Sequence, residues 1–169
     1  ATKIAYVGYT AIKFPWANPN NIIADDTSYA TASTSFGADQ LCTGQLRGLM
    51  NFSGLIPSDA TINGFSATVQ DKQSDVSALG YGSMRLMSNN TTGIGTSQGT
   101  WNPIYTLGDG LTNHTYGNST DMWGTTGLTP ANITNGKFGL STAYCDHDYD
   151  SSFSVDFLQL TVYWTNASA

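Results

Sequence analysis

The sequence predicts an all-β protein: an antiparallel two-layer β-sandwich, jelly-roll-like, with at most one short helical turn. Three observations carry this expectation. Apolar and polar residues alternate in several blocks, turn-forming residues separate the blocks, and only one segment has a helix-start signal. Composition agrees: 23 Thr, 17 Ser, 13 Asn and 18 Gly among 169 residues favour strands and tight turns over long helices. A chain of this length fits one domain and buries roughly 70% of its unfolded surface without staples. No fixed-period repeat, low-complexity linker or composition break divides it. The expected organisation is an N-terminal strand or arm over residues 1–22 and a single β-sandwich over 23–165.

In chain order, KIAYVGYTAIKF reads as a strand or arm that ends at Pro15 and Trp16. WANPNNIIADDTSYAT follows as an irregular, Asn- and Pro-rich segment whose Asp25 and Asp26 suit turns. Leu46 to Phe52 is a short apolar strand, and Ser58-Asp59-Ala60 turns the chain into a strand over 61–70. There Phe65, Ala67 and Val69 share one face while Ser66, Thr68 and Gln70 share the other, so one face is buried and one is wet. Residues 71–77 read as a polar connection and Leu79 to Met87 as a strand with Met84 and Leu86 inward. Residues 88–100 read as a loop, Trp101 to Leu107 as a short strand, and 108–122 as a polar excursion containing His114, Tyr116 and Asp121. Thr129 suits a helix N-cap and Pro130 the first helical position, which gives one helical turn. Phe138, Leu140, Thr142 and Tyr144 alternate as a strand. Val155 to Trp164 closes the chain with apolar residues in both phases, the mark of a strand that is central or bulged near Phe157 and Leu158. The first and last strands are expected to pair or lie side by side.

Charge narrows the partners. Six basic and twelve acidic residues give a net charge of −6, without the basic footprint that phosphate-backbone binding requires, so no nucleic-acid partner is expected. No run of 18 apolar residues marks a membrane span, and Ala1 to Gly8 lacks the basic head and apolar body of a signal peptide. Cys42 and Cys145 are too far apart in sequence for a metal knuckle. A bridge across the sandwich is open to them, but two buried free thiols acting as small hydrophobes is the plainer reading.

Catalytic patterns are sparse. Asp146, Asp148 and Asp150 have the opening spacing of a calcium loop, but Ser151 and Phe157 stand where an EF-hand wants Gly and Glu. His114 and His147 do not form a two-ligand pattern on one element, no G-x-S-x-G elbow occurs, and the chain has no glutamate for a typical glycosidase pair. No catalytic residue, metal site or cofactor is assigned, and the protein is not expected to be an enzyme. Trp101 and Tyr105, beside loops, are the candidate glycan contacts, because aromatic faces stack on sugar rings.

WANPNN near the start, IPSDATINGFSATVQ in the middle, WGTTGLTPANITNGKFGLSTAY and the closing VDFLQLTVYW resemble a recurrent β-sandwich module of tailed-bacteriophage structural proteins. The resemblance spans most of residues 16–164. It implies a virion protein on the particle surface, most simply a capsid decoration subunit. Its partners would be the major capsid or another virion protein and further copies of itself. A receptor- or carbohydrate-binding module of a tail or head fibre is the alternative, and a secreted hydrolase a lesser one. The chain lacks the coiled-coil heptads and collagen-like repeat of longer fibre proteins, so a compact subunit fits better than a shaft. The resemblance carries no catalytic residues. Tyr6, Tyr9, Phe14 and Trp16 in the arm are the expected partner contacts, since terminal segments stay ordered when tied down.

Overall fold

A computed structural model describes residues 5–8, 13–14, 16–33, 41–43, 45–74, 81–89, 92–98, 110–146 and 152–166. Among the described residues, eleven strands form two sheets. One sheet contains β1 (Ala5–Gly8), β2 (Lys13–Phe14), β4 (Leu41–Thr43), β5 (Gln45–Leu49), β7 (Tyr81–Asn89), β8 (Thr92–Gln98) and β10 (Gly139–Asp146). The other contains β3 (Ala30–Ser33), β6 (Thr61–Gln73), β9 (Thr112–Asn118) and β11 (Ser152–Thr165), in the order β3-β11-β6-β9. All pairings between strands are antiparallel except β2 with β4.

The strand order is that of a jelly roll. β4 and β5 lie along one edge of β10 and together act as a single strand, with a one-residue register slip between Cys42 and Leu46. Counted from β3 on that basis, the smaller sheet pairs first with eighth, eighth with third and third with sixth. The larger sheet pairs second with seventh, seventh with fourth and fourth with fifth. This nesting is the double Greek key of an eight-stranded jelly roll.

The two inward faces make one core. Phe65, Ala67 and Val69 of β6 meet Leu46, Met84, Leu86, Leu140 and Tyr144 of the larger sheet, all buried. The last strand accounts for its two apolar phases through a bulge. Val155 pairs with Asp71 and Phe157 with Gln70, so Asp156 is the extra residue. Before the bulge Phe153 and Val155 are buried, and after it Leu158 and Leu160 are. β11 is also central, between β3 and β6, so both readings of that strand hold. The carboxylate of the bulge residue is buried and accepts the backbone N–H groups of Asp26 (3.4 Å) and Thr27 (3.2 Å). It thereby fixes the turn ahead of β3, where Thr27 has a φ of 64°.

The expected helical turn is present as α1 (Pro130–Thr134), with Thr129 and Asn132 closing a capping box. A 3-10 turn over Pro19–Ile23 precedes β3 and buries Ile22.

Five expectations are corrected. The polar connection after residue 70 is the continuation of β6, whose inward row runs on through buried Asp71 and Gln73. The loop over 88–100 contains β8, and the excursion over 108–122 contains β9. Both are poor in apolar alternation because they flank their sheets and are covered on one side only. The first and last strands lie in different sheets, β1 beside β5 and β11 between β3 and β6. Cys145 is disulfide-bonded rather than a free thiol, and the only other cysteine, Cys42, is its register partner on β4. The jelly roll brings together residues about a hundred positions apart, which sequence spacing alone does not reveal. The expected strand over Trp101 to Leu107 lies outside the described residues.

Candidate functional site

The inward row of β6 changes character along its length. Phe65, Ala67 and Val69 are apolar, whereas Asp71 and Gln73 carry polar groups into the same interior. Tyr144 arrives from the opposite sheet on β10, and its hydroxyl donates to Asp71 Oδ2 at 2.7 Å. His114 arrives from β9, its Nε2 3.1 Å from Asp71 Oδ1. That is within ion-pair distance, and the contact opposes the effect of burial on the carboxyl chiefly as a hydrogen-bonding partner. Trp16 meets Tyr144 edge-on at 5.8 Å between centroids, and Phe153 stacks on it at 5.4 Å. Thr43 Oγ1 accepts the Tyr144 backbone N–H at 3.0 Å, close to the register slip between β4 and β5.

Burial pushes the Asp71 carboxyl above its ordinary value of 3.8, opposed by the His114 and Tyr144 contacts. The carboxyl of Asp71 is only 1% exposed, and the His114 side chain 15%. A raised carboxyl beside an imidazole is a proton-handling pair in chemical terms. Here it is enclosed by aromatic rings between two sheets, and what the geometry does directly is tie β6, β9 and β10 together.

A second feature lies at the other end of the core. Trp123 has a φ of 52° and a fully buried ring, whose Nε1 donates to the Phe65 carbonyl at 3.1 Å. Asp121 Oδ1 accepts the Trp123 backbone N–H at 2.8 Å and holds that turn. Gly117 is obligatory beside it: at φ 74° an added Cβ would lie 2.2 Å from the Phe65 carbonyl oxygen and 2.3 Å from the indole nitrogen. The chain after Trp123 and the start of α1 border an open groove of about 410 Å³, lined by Ser88, Ile94, Gly95, Thr126, Leu128 and Asn132 among others. Its lining carries hydroxyls, an amide and backbone, and no charged side chain.

The expected site residues are scattered. Tyr6 is in β1 and Phe14 in β2, whereas Tyr9, Trp101 and Tyr105 lie outside the described residues. Trp16 is 4% exposed and packs edge-on against Tyr144 in the core. Of the residues with calcium-loop spacing, Asp146 ends β10 and Asp148 and Asp150 lie outside the described residues. Among the described residues no group of three or more His, Cys and Asp side chains is placed to hold a metal ion, and no helix is long and apolar enough to cross a membrane. Sequence reasoning missed Asp71 and Tyr144 as partners. The signal was an acid at the next inward position of the Phe65, Ala67, Val69 row.

Compared with known protein families and with curated proteins, the chain matches none.

Proposed function

We propose that this chain is a structural virion protein of a tailed bacteriophage, a capsid decoration subunit that binds the shell through protein–protein contacts. The observation that most supports this reading is where the phage-like motifs fall in the jelly roll. Trp16 is core, Pro19 opens the 3-10 turn, and Ile56 and Ala60 are buried ahead of β6. Gly139 of the Phe-Gly pair has no room for a Cβ, which would sit 2.0 Å from the Gly48 carbonyl oxygen. Asp156 of the Val-Asp pair is the bulge residue. Trp16, Ile56 and Ala60 serve the core and Pro19, Gly139 and Asp156 serve backbone geometry, as suits a rigid block that works through its outer surfaces. Jelly rolls serve capsid and lectin domains alike, so the frame is compatible with this role by fold analogy.

The partners are the major capsid or another virion protein and further copies of the chain, on the particle surface. With 11% charged residues, attachment resting on apolar and neutral polar contacts is weakly salt-dependent. The test is cryo-electron microscopy and protein quantification of the virions from which the chain comes. A regular surface lattice at a fixed ratio to the shell protein is expected, and absence from the particle overturns the reading.

A receptor- or carbohydrate-binding module of a tail or head fibre is the second reading, favoured by the neutral groove. Its volume falls within the ~300–1,000 Å³ of small-molecule sites. Glycan-array binding that disappears in Thr126→Arg supports this alternative, and an array without signal removes it.

A further inference from the structure

The chain's two arginines, Arg47 and Arg85, lie in one cross-strand row of the larger sheet. Both are register partners of Ser141 on β10, Arg47 from β5 on one side and Arg85 from β7 on the other. A strand spacing of about 4.8 Å places the two arginine Cα atoms about 10 Å apart with Ser141 between them. Leu46, Met84, Leu86 and Leu140 fill the core from these strands, so alternation puts the arginine row on the outer face.

Between the arginines that face is recessed because β10 contributes small side chains there, Ser141 and Ala143. Ser83 stands opposite Ala143, and Gln45 is the next outward residue along β5. The result is a hollow of about 80 Å³ lined by Gln45, Ser83, Arg85, Ser141, Thr142 and Ala143. This is well below the ~300–1,000 Å³ of sites for whole small molecules and suits a single functional group.

Arg85 is held in place beside the hollow. Its Nε and Nη2 donate to the carbonyl oxygens of Ile94 (3.5 Å) and Gly95 (3.0 Å). A Cβ on Gly93 would come 2.8 Å from Arg85 Cδ, so glycine there leaves the side chain its path. A guanidinium has five donors, and two carbonyl contacts neither exhaust them nor neutralise the charge. Arg47 donates to Gln45 Oε1 from Nε (3.1 Å) and Nη2 (2.7 Å).

We propose that this hollow binds a single oxyanion, a carboxylate by preference. Arg85 supplies the fork and the positive charge, and Ser83 and Ser141 supply hydroxyl donors. The planar guanidinium matches the two oxygens of a carboxylate, and its weak hydration lowers the cost of partial burial. The site stands independently of the virion reading.

The test is an NMR titration of the intact chain with sodium acetate, and separately with inorganic sulfate and phosphate, at constant ionic strength. Saturable shifts at the amides of Ser83, Arg85 and Ser141 and at the Arg85 Nε–H are expected with acetate. The apparent Kd should weaken about tenfold or more in Arg85→Gln, and less in Arg85→Lys, which keeps the charge without the fork. Ser141→Val fills the hollow from the central strand with both arginines retained and should abolish saturation even if Arg85→Gln fails to fold. Unsaturable shifts, or equal binding by Ser141→Val, overturn the site. Saturation by sulfate or phosphate without acetate overturns the carboxylate assignment.

Discussion

The two ends of the β6 inward row are held by different physics. At the Phe65 end, Trp123, Phe138 and a glycine with no space for a side chain make an apolar, sterically determined packing. At the Asp71 end, a tyrosine, a carboxyl and an imidazole join three strands in two sheets, with the Cys145 disulfide one residue beyond Tyr144. One strand therefore contributes a packing element whose strength is insensitive to protons and a polar element whose strength is not. The jelly roll accommodates the second because the Tyr144 hydroxyl reaches the Asp71 carboxyl from the opposite sheet and His114 reaches it from the neighbouring strand.

The contrast breaks most visibly at the apolar end. Trp123→Ala is expected to cost about 3 to 5 kcal/mol through lost burial and a residual cavity, by the same amount at pH 4 and pH 7 in urea unfolding. Next comes the covalent link at the polar end. Cys145→Ser should cost about 2 to 5 kcal/mol, and a reductant should lower the Tm of the parent chain but not of the variant. Tyr144→Phe keeps the ring stacked on Phe153 and removes only the donor to Asp71. About 1 to 3 kcal/mol should be lost, measured by the same unfolding at neutral pH.

The smallest effect is the most discriminating. Burial raises the Asp71 pKa in the folded state, so the native state favours the protonated carboxyl. The associated stabilisation is fully present below the unfolded value near 3.8 and is lost as pH rises through the raised folded value. Asp71→Asn retains an acceptor for the Tyr144 hydroxyl and cannot ionise. Its stability relative to the parent should therefore improve as pH rises from 3 to 7, and a difference that is flat with pH would mean that burial does not govern this carboxyl.

Much of the frame is legible in the sequence where burial alternates cleanly. The Phe65, Ala67, Val69 row, the Leu140 to Tyr144 row and the Thr129-Pro130 start all translate into β6, β10 and α1. β8 and β9 were hidden because Thr-Gly-Ile-Gly-Thr-Ser-Gln and Thr-Asn-His-Thr-Tyr-Gly-Asn offer no apolar rhythm, and pairing with β7 and β6 decides their state. The polar cluster was illegible for a related reason. Asp71, His114 and Tyr144 meet only through the nesting of two sheets, and local pattern makes Asp71 look like the start of a loop. The two apolar phases of β11 were visible, but only the pairing shows Asp156 as the residue where the phase changes.

The Cys145 disulfide also sets how the molecule responds to pulling. Because its partner is Cys42 on the neighbouring strand, the chain from β5 to the end of β10 is a closed covalent ring. Force applied to the two termini passes directly across the bridge and bypasses the ring. About a hundred residues at ~3.3–3.6 Å each, roughly 350 Å of contour length, cannot be drawn out until the bridge is reduced. A stretched molecule would lengthen only through its ends, and most of the jelly roll would remain a short, inextensible knot in the line of tension.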